Sequence, residues 1–428
     1  MKINISDFDL NLLKKKALAW ANAQSDVLCY LDSNDYNQDK LSKYSCLIAV
    51  GVQEELIVKA AGSAFEQLKR FAANNDKWLF GHFNYDLKYE TEQLQSKNED
   101  FICFPELYFF VPSYLCLFHE NKYLEILSSS KPPNQIWESI QAHNVSSNQN
   151  NTPIIVQNKI SRKGYLSTIQ KIREHIIEGN VYEMNFCQEF YAKNILLDPI
   201  ALFNKLNNIA RAPFSAYYKL NKKYLLCGSP ERFLCKRGNK IISQPIKGTI
   251  RRGENLDEDE QLKLKLYNSV KDRSENVMIV DLVRNDLTKS CQIGTIQVKE
   301  LFGVYEFEKV FQMISTITGE LLEEIHWVDI IRSAFPMGSM TGAPKRMSME
   351  LIESYEKTKR GLYSGTLGYV SPDGDFDFNV VIRSLLYNEQ DQYLSFQVGG
   401  AIVYDSNPMD EFQECLLKVE AIREALEG

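Results

Sequence analysis

The chain has 428 residues, 44% of them hydrophobic, and a formal net charge of −7. That apolar content excludes general disorder, and at about 150 residues per domain the length allows up to three domains or one large α/β domain. An acidic balance with no basic tract excludes nucleic acid as the partner, so an anionic substrate would be held by a few local cations and backbone amides.

Residues 1–7 contain no apolar run, so no signal peptide is expected. The nine cysteines are scattered without Cys-x-x-Cys spacing, and the five histidines are equally dispersed. This pattern disfavours a disulfide framework and a structural zinc site, and it suits a reducing cytoplasm.

In chain order, the first part mixes helical stretches with strand-like runs such as 46–52. Residues 101–119, FICFPELYFFVPSYLCLFH, are the most apolar stretch. Pro105, Glu106 and Pro112 interrupt it, and its aromatic and β-branched content predicts short buried strands, not a membrane span. The Asn/Ser-rich segment 142–153 reads as an exposed polar loop or linker dividing the chain into parts 1–141 and 154–428. Strand-like runs follow at 217–227 and 240–244. A helix is predicted over 274–287, a strand over 295–298, a helix over 346–355, and a last helix from about Pro408. There is no internal repeat. The alternation predicts a mixed α/β (α+β) architecture.

Several charged residues stand in apolar surroundings. Glu231, in Ser229-Pro-Glu-Arg-Phe233, and Arg383, in Val-Val-Ile-Arg-Ser, flank apolar strands and are unremarkable singly. Lys247 lies between a strand and a glycine turn in Gln244-Pro-Ile-Lys-Gly-Thr; it suits either surface decoration or a buried nucleophile. The helix through Asp272–Asp286 has a nearly all-apolar middle, so it is expected to be buried on most sides, with Asp281 and Arg284 as an internal pair. Glu275 precedes that apolar run and could face a cavity. The loop Phe335-Pro-Met-Gly-Ser-Met-Thr-Gly-Ala-Pro-Lys345 would present free N–H groups to an anion, or simply form a turn. On the last helix, Phe412, Leu416, Val419 and Leu426 form the buried stripe. Glu411, Glu414 and Lys418 cluster on another side, as a divalent-cation site or as a solvated Glu414–Lys418 pair.

Together these segments are far more specific. Ser229-Pro-Glu-Arg-Phe233, Pro245-Ile-Lys-Gly-Thr249, Met278-Ile-Val-Asp-Leu-x-Arg-Asn-Asp-Leu287, Gly338-Ser-Met-Thr-Gly-Ala-Pro-Lys345 and Gly399-Gly-Ala-Ile402 occur in this order. The sequence resembles the chorismate-utilising enzymes, which include anthranilate, aminodeoxychorismate, isochorismate and salicylate synthases. The resemblance is dense over 156–428 and looser before it, through Leu31-Asp-Ser-Asn34 and Gly81-x-x-x-Tyr85-Asp86. It implies one α/β sandwich with both halves sharing a core, which would make 142–153 a loop within a domain.

The resemblance also implies roles. Glu275 and Glu414 would bind Mg²⁺, with Glu411 close by. Glu231 would be the general acid. Tyr369 and Arg383 would hold a substrate carboxylate. Gly338, Ser339, Thr341, Gly342, Gly399 and Gly400 would offer backbone amides. Lys247 matches the aminodeoxychorismate-forming members, whereas anthranilate-forming and water-adding members commonly have Ala there. It implies a covalent Lys247 intermediate on chorismate, then ammonia addition at C4, in 4-aminobenzoate and folate precursor synthesis. Anthranilate synthesis and a catalytically silent chorismate-binding subunit are the alternatives. Glu183 stands where glutamine-dependent members have Gln and isochorismate-forming ones Lys, and Gln312 replaces the usual His. No Gly-x-Cys-x-Gly motif is present, so the implied ammonia source is a separate glutamine amidotransferase subunit.

Overall fold

The computed structural model describes residues 1–73, 75–145 and 153–427. Most of the 142–153 loop therefore lies outside the described residues. Strand pairing links the two parts of the chain directly. Val27–Asp32 pairs antiparallel with Phe214–Leu220, and Leu79–Phe83 pairs antiparallel with Thr366–Val370.

The strands lie in two layers joined through one long strand, Leu107–His119, which pairs with Cys46–Val58, Leu79–Phe83 and Tyr123–Ser128. Side-chain alternation along a strand explains the layering. Val27 and Cys29 enter an inner core with Phe80, Phe109, Phe233 and Phe378. Leu28 and Tyr30, one position along, enter an outer core under the helices Leu10–Gln24, Arg162–Ile177 and Pro199–Ala210. Leu47 and Ala49 face inward in the same way, while Cys46, Ile48 and Val50 face the outer helices. Strands buried on both faces read as continuous apolar runs, which is why the strand signal at 46–52 is strong.

The structure corrects several boundaries. The apolar stretch 101–119 supplies one thirteen-residue strand, Leu107–His119, and not several short ones. Pro112 lacks an N–H, and a register shift between Val52 and Glu54 on the neighbouring strand accommodates it. The single strand expected over 217–227 is a hairpin, Phe214–Leu220 and Lys223–Ser229, turned at Asn221 with φ 56°. The strand expected at 295–298 runs Gln297–Glu306. The last helix is two, Pro408–Lys418 and Glu420–Glu427, broken at Val419. Among the described residues, no helix is long and apolar enough to cross a membrane. All nine cysteines are unpaired thiols.

Candidate active site

Four elements meet around a cavity that opens to solvent. The strand Ile246–Arg251 brings Lys247 to it, and the helix Val270–Leu287 brings Lys271, Asp272 and Glu275. The strand Tyr393–Ile402 contributes Gly399 and Ala401, and the helix Pro408–Lys418 contributes Glu414 and Lys418. Glu231, Gln312, Ser339, Tyr363 and Arg383 are also on its polar wall.

The helix Val270–Leu287 starts where Ser269 caps it, accepting a hydrogen bond from the Asp272 N–H at 3.3 Å. Glu275, Asn276, Ile279, Val280, Val283, Asp286 and Leu287 are buried, at helical spacing on one face. The expectation of burial on most sides is therefore wrong. Val277 is 40% exposed, and Asp281 and Arg284 form their 2.8 Å pair in solvent. Asp286 is buried and accepts a 2.6 Å hydrogen bond from Lys345, which ties the 335–345 loop to this helix.

Lys247 points inward. Its Nζ donates to Glu183 Oε1 at 2.6 Å, and both side chains are buried. Burial pushes the Glu231 carboxyl up to about 7, against the hydrogen bond from Ser339 and the nearby Lys247 and Arg383 charges. The Arg383 guanidinium has no carboxylate within 4 Å among the described residues, and burial pushes it down to about 10. An unpaired guanidinium on a cavity wall is a receptor for a carboxylate.

Glu275 and Glu414 are far apart in sequence but converge. Lys271 Nζ lies 3.9 Å from Glu275 Oε1, 2.9 Å from Glu411 Oε1 and 3.9 Å from Glu414 Oε2. Burial pushes Glu275 up to about 8, and Glu183 and Glu414 add like-charge repulsion. The Lys418 ammonium, 2.7 Å away, is the main cause that holds Glu414 down at about 2. Glu275 Oε1 and Glu411 Oε2 are buried without a hydrogen-bond partner. As they stand, no three acidic, imidazole or thiol groups among the described residues are arranged to hold a metal ion, because Lys271 sits between the carboxylates. The donor set itself is all carboxylate oxygen, two of them unpartnered, which fits a hard divalent cation such as Mg²⁺.

Other expected residues lie elsewhere. Tyr369 does not line this cavity. On the strand Thr366–Val370 its side packs against Tyr44, Trp78 and Phe80 at ring distances of 5.7 to 6.1 Å, beside a second cavity with Arg232 and Asp377. Tyr363, which sequence reasoning missed, lines the site instead. Of the expected amide donors, only Ser339 and Gly399 reach the cavity wall. The Thr341 N–H is engaged by Gly338 O at 3.1 Å. Gly338 and Gly342 are close-approach glycines: an added Cβ would meet Leu282 at 2.7 Å and the Glu183 carbonyl at 2.2 Å, respectively. Gly400 leaves room for the acidic cluster, since a Cβ there would lie 3.5 Å from Glu411 Oε2.

Sequence reasoning also missed Lys271, Lys418 as a cavity residue, and the support behind the loop. Arg360 is buried, donates to Met340 O at 2.6 Å and Asn185 O at 3.1 Å, and pairs with Glu356 at 2.7 Å. Two opposite charges at i, i+4 just outside a helix were the available signal.

The chain that builds this cavity belongs to a known enzyme class. A sequence profile for the chorismate binding enzyme matches residues 28–424, and the chain belongs to that family. It is 36% identical over 348 residues to aminodeoxychorismate synthase component 1 of Escherichia coli K12, covering 81% of this chain and 76% of that one. It is 42% identical over 280 residues to the chloroplastic aminodeoxychorismate synthase of Arabidopsis thaliana, covering 65% of this chain and 30% of that protein. The chain thus spans about a third of the length of its plant relatives. The crystal structure of anthranilate synthase component I from Streptococcus pneumoniae superposes with a TM-score of 0.78 at 22% identity, over 89% of this chain and 92% of that one, a likeness of fold.

Proposed function

We propose that the chain converts chorismate and ammonia to 4-amino-4-deoxychorismate through a covalent bond to Lys247. The observation that carries this reading is Lys247 itself, held in one cavity with Glu231, Arg383, Glu275 and Glu414. The named aminodeoxychorismate synthases among its relatives support it.

Arg383 takes a substrate carboxylate, and Ser339 and Gly399 border the bound ring. The neutral Lys247 amine bonds to ring C2 as the ring double bonds shift and the C4–O bond breaks. Glu231 gives its proton to the departing hydroxyl, which leaves as water. Ammonia then bonds to C4, the double bonds shift back, and the C2–N bond to Lys247 breaks. The new C4 ammonium returns a proton to Glu231. Gln312 cannot exchange a proton near neutral pH, so the leaving-group proton falls to Glu231 alone. Glu275 and Glu414, with Glu411 beside them, would hold Mg²⁺, whose charge when bound neutralises the ring carboxylate and draws electrons from the ring. The enolpyruvyl group is retained and no pyruvate is released. Ammonia comes from a separate glutamine amidotransferase, and the work belongs to cytoplasmic 4-aminobenzoate and folate precursor synthesis.

The test is product analysis by mass spectrometry after incubation with chorismate, MgCl₂ and an ammonium salt. The expected product has one hydroxyl of chorismate replaced by an amino group. Fluorescent anthranilate with an equivalent of pyruvate would replace this reading with anthranilate synthesis.

A further inference from the structure

We infer that Glu183 is the base that frees the Lys247 amine for attack, an inference that rests on Lys247 being the nucleophile. Glu183 opens the strand Glu183–Lys193 and is wholly buried. Its Oε1 accepts the 2.6 Å hydrogen bond from Lys247 Nζ, and its Oε2 is buried with no partner. The backbone around it is fixed: Ser348 Oγ donates to the Glu183 carbonyl at 3.1 Å, and Gly342–Ala343 pairs with Met184 and Glu183 across the sheet. The carboxylate stands behind the lysine and not on the cavity wall, so it addresses the nucleophile without competing for substrate.

An ordinary lysine, with a pKa of about 10.4, is almost wholly an ammonium at neutral pH. A proton moving along the Nζ–Oε1 hydrogen bond turns a buried ion pair into a neutral pair without exchange with water. Exclusion of water by the bound substrate takes solvation from the buried ion pair and so eases that transfer. Facing this pair are Glu231 from the 229–233 turn, Lys271, Asp272 and Glu275 from the helix Val270–Leu287, Glu414 and Lys418 from the helix Pro408–Lys418, and Arg383. The step balances. Nζ loses a proton to Oε1, its lone pair forms the C2 bond, and the amine recovers the proton from Glu183 after expulsion.

The experiment compares wild type with Glu183→Gln from pH 6 to 9.5 at constant free NH₃. The kcat ratio, wild type over variant, is expected to be at least tenfold at pH 6.5 and to shrink steadily, reaching about one by pH 9.5. Glu183→Asp should recover part of the neutral-pH rate, and KM for chorismate should stay within about twofold. A ratio constant across pH would overturn the inference and leave Glu183 a structural partner. Should the variants fold poorly, adduct formation on wild-type Lys247 without ammonia gives an independent reading between pH 5.5 and 6.5, where Glu231 keeps its proton. A rate flat within twofold is expected; a tenfold fall per pH unit would overturn the inference. Product identity separates the two levels: anthranilate as product removes the parent reading, whereas aminodeoxychorismate with parallel pH profiles removes only the role of Glu183.

Discussion

Glu231 carries its proton to about pH 7 because burial penalises the carboxylate. As general acid it is active below that pH, so kcat at constant free NH₃ should fall as pH rises through about 7. Glu231→Gln should lose that fall together with about 10²- to 10⁴-fold in kcat. The same proton has a stability consequence. Between the usual carboxyl value of 4.5 and about 7, the folded chain holds a proton that the unfolded chain has released. Stability due to this group therefore falls as pH rises through that window. Glu231→Gln should raise Tm relative to wild type at pH 8 and leave it nearly unchanged at pH 4.5; equal shifts at both would contradict the assignment. At this scale Lys247, Glu231 and Arg383 were legible only as a set, because each is ordinary beside its own strand. Tyr369 was misplaced because no residue of its strand, Thr366–Val370, lines the cavity; the tyrosine that does, Tyr363, sits in the turn before that strand.

The helix Val270–Leu287 and the helix Pro408–Lys418 each bring carboxylates to one point. Glu414→Ala should lose most Mg²⁺-dependent turnover while far-UV circular dichroism and Tm change little, since the Glu414 side chain is 38% exposed. Unchanged Mg²⁺ dependence would remove Glu414 from the metal site. A different outcome is expected at Glu356. Its replacement by Gln leaves the buried Arg360 without its carboxylate, and breaking such a pair costs about 3–5 kcal/mol. Chemical denaturation should register that loss; a change under about 1 kcal/mol would contradict it. The 274–287 helix was legible from its apolar run, but its exposed face was not. Val277 interrupts no pattern, although solvent reaches it. Lys271 was missed because it lies one turn before Glu275, outside the apolar segment that drew attention.

Across the whole molecule, strands of the first part lie between strands of the second. Composition suggested a division at 142–153, and only the motif resemblance pointed to one shared core. Nothing local to Val27–Asp32 names Phe214–Leu220 as its partner; non-local pairing is where sequence pattern carries least information. A fragment of residues 154–428 lacks the strands that cover Phe214–Leu220 and Thr366–Val370. It should show no cooperative thermal transition alone and should regain one when co-expressed with residues 1–153. Independent cooperative folding of the fragment would contradict the shared core. The cavity is lined by residues from 185 to 419, and the first part supports that scaffold through the strands it pairs with. The most direct test of the account is intact-protein and peptide mass spectrometry after incubation with chorismate and Mg²⁺, without ammonia. The expected result is an adduct of chorismate less one water on the peptide containing Lys247, released as aminodeoxychorismate when an ammonium salt is added. An unmodified Lys247 peptide, with Lys247→Ala making aminodeoxychorismate at the wild-type rate, would contradict the account.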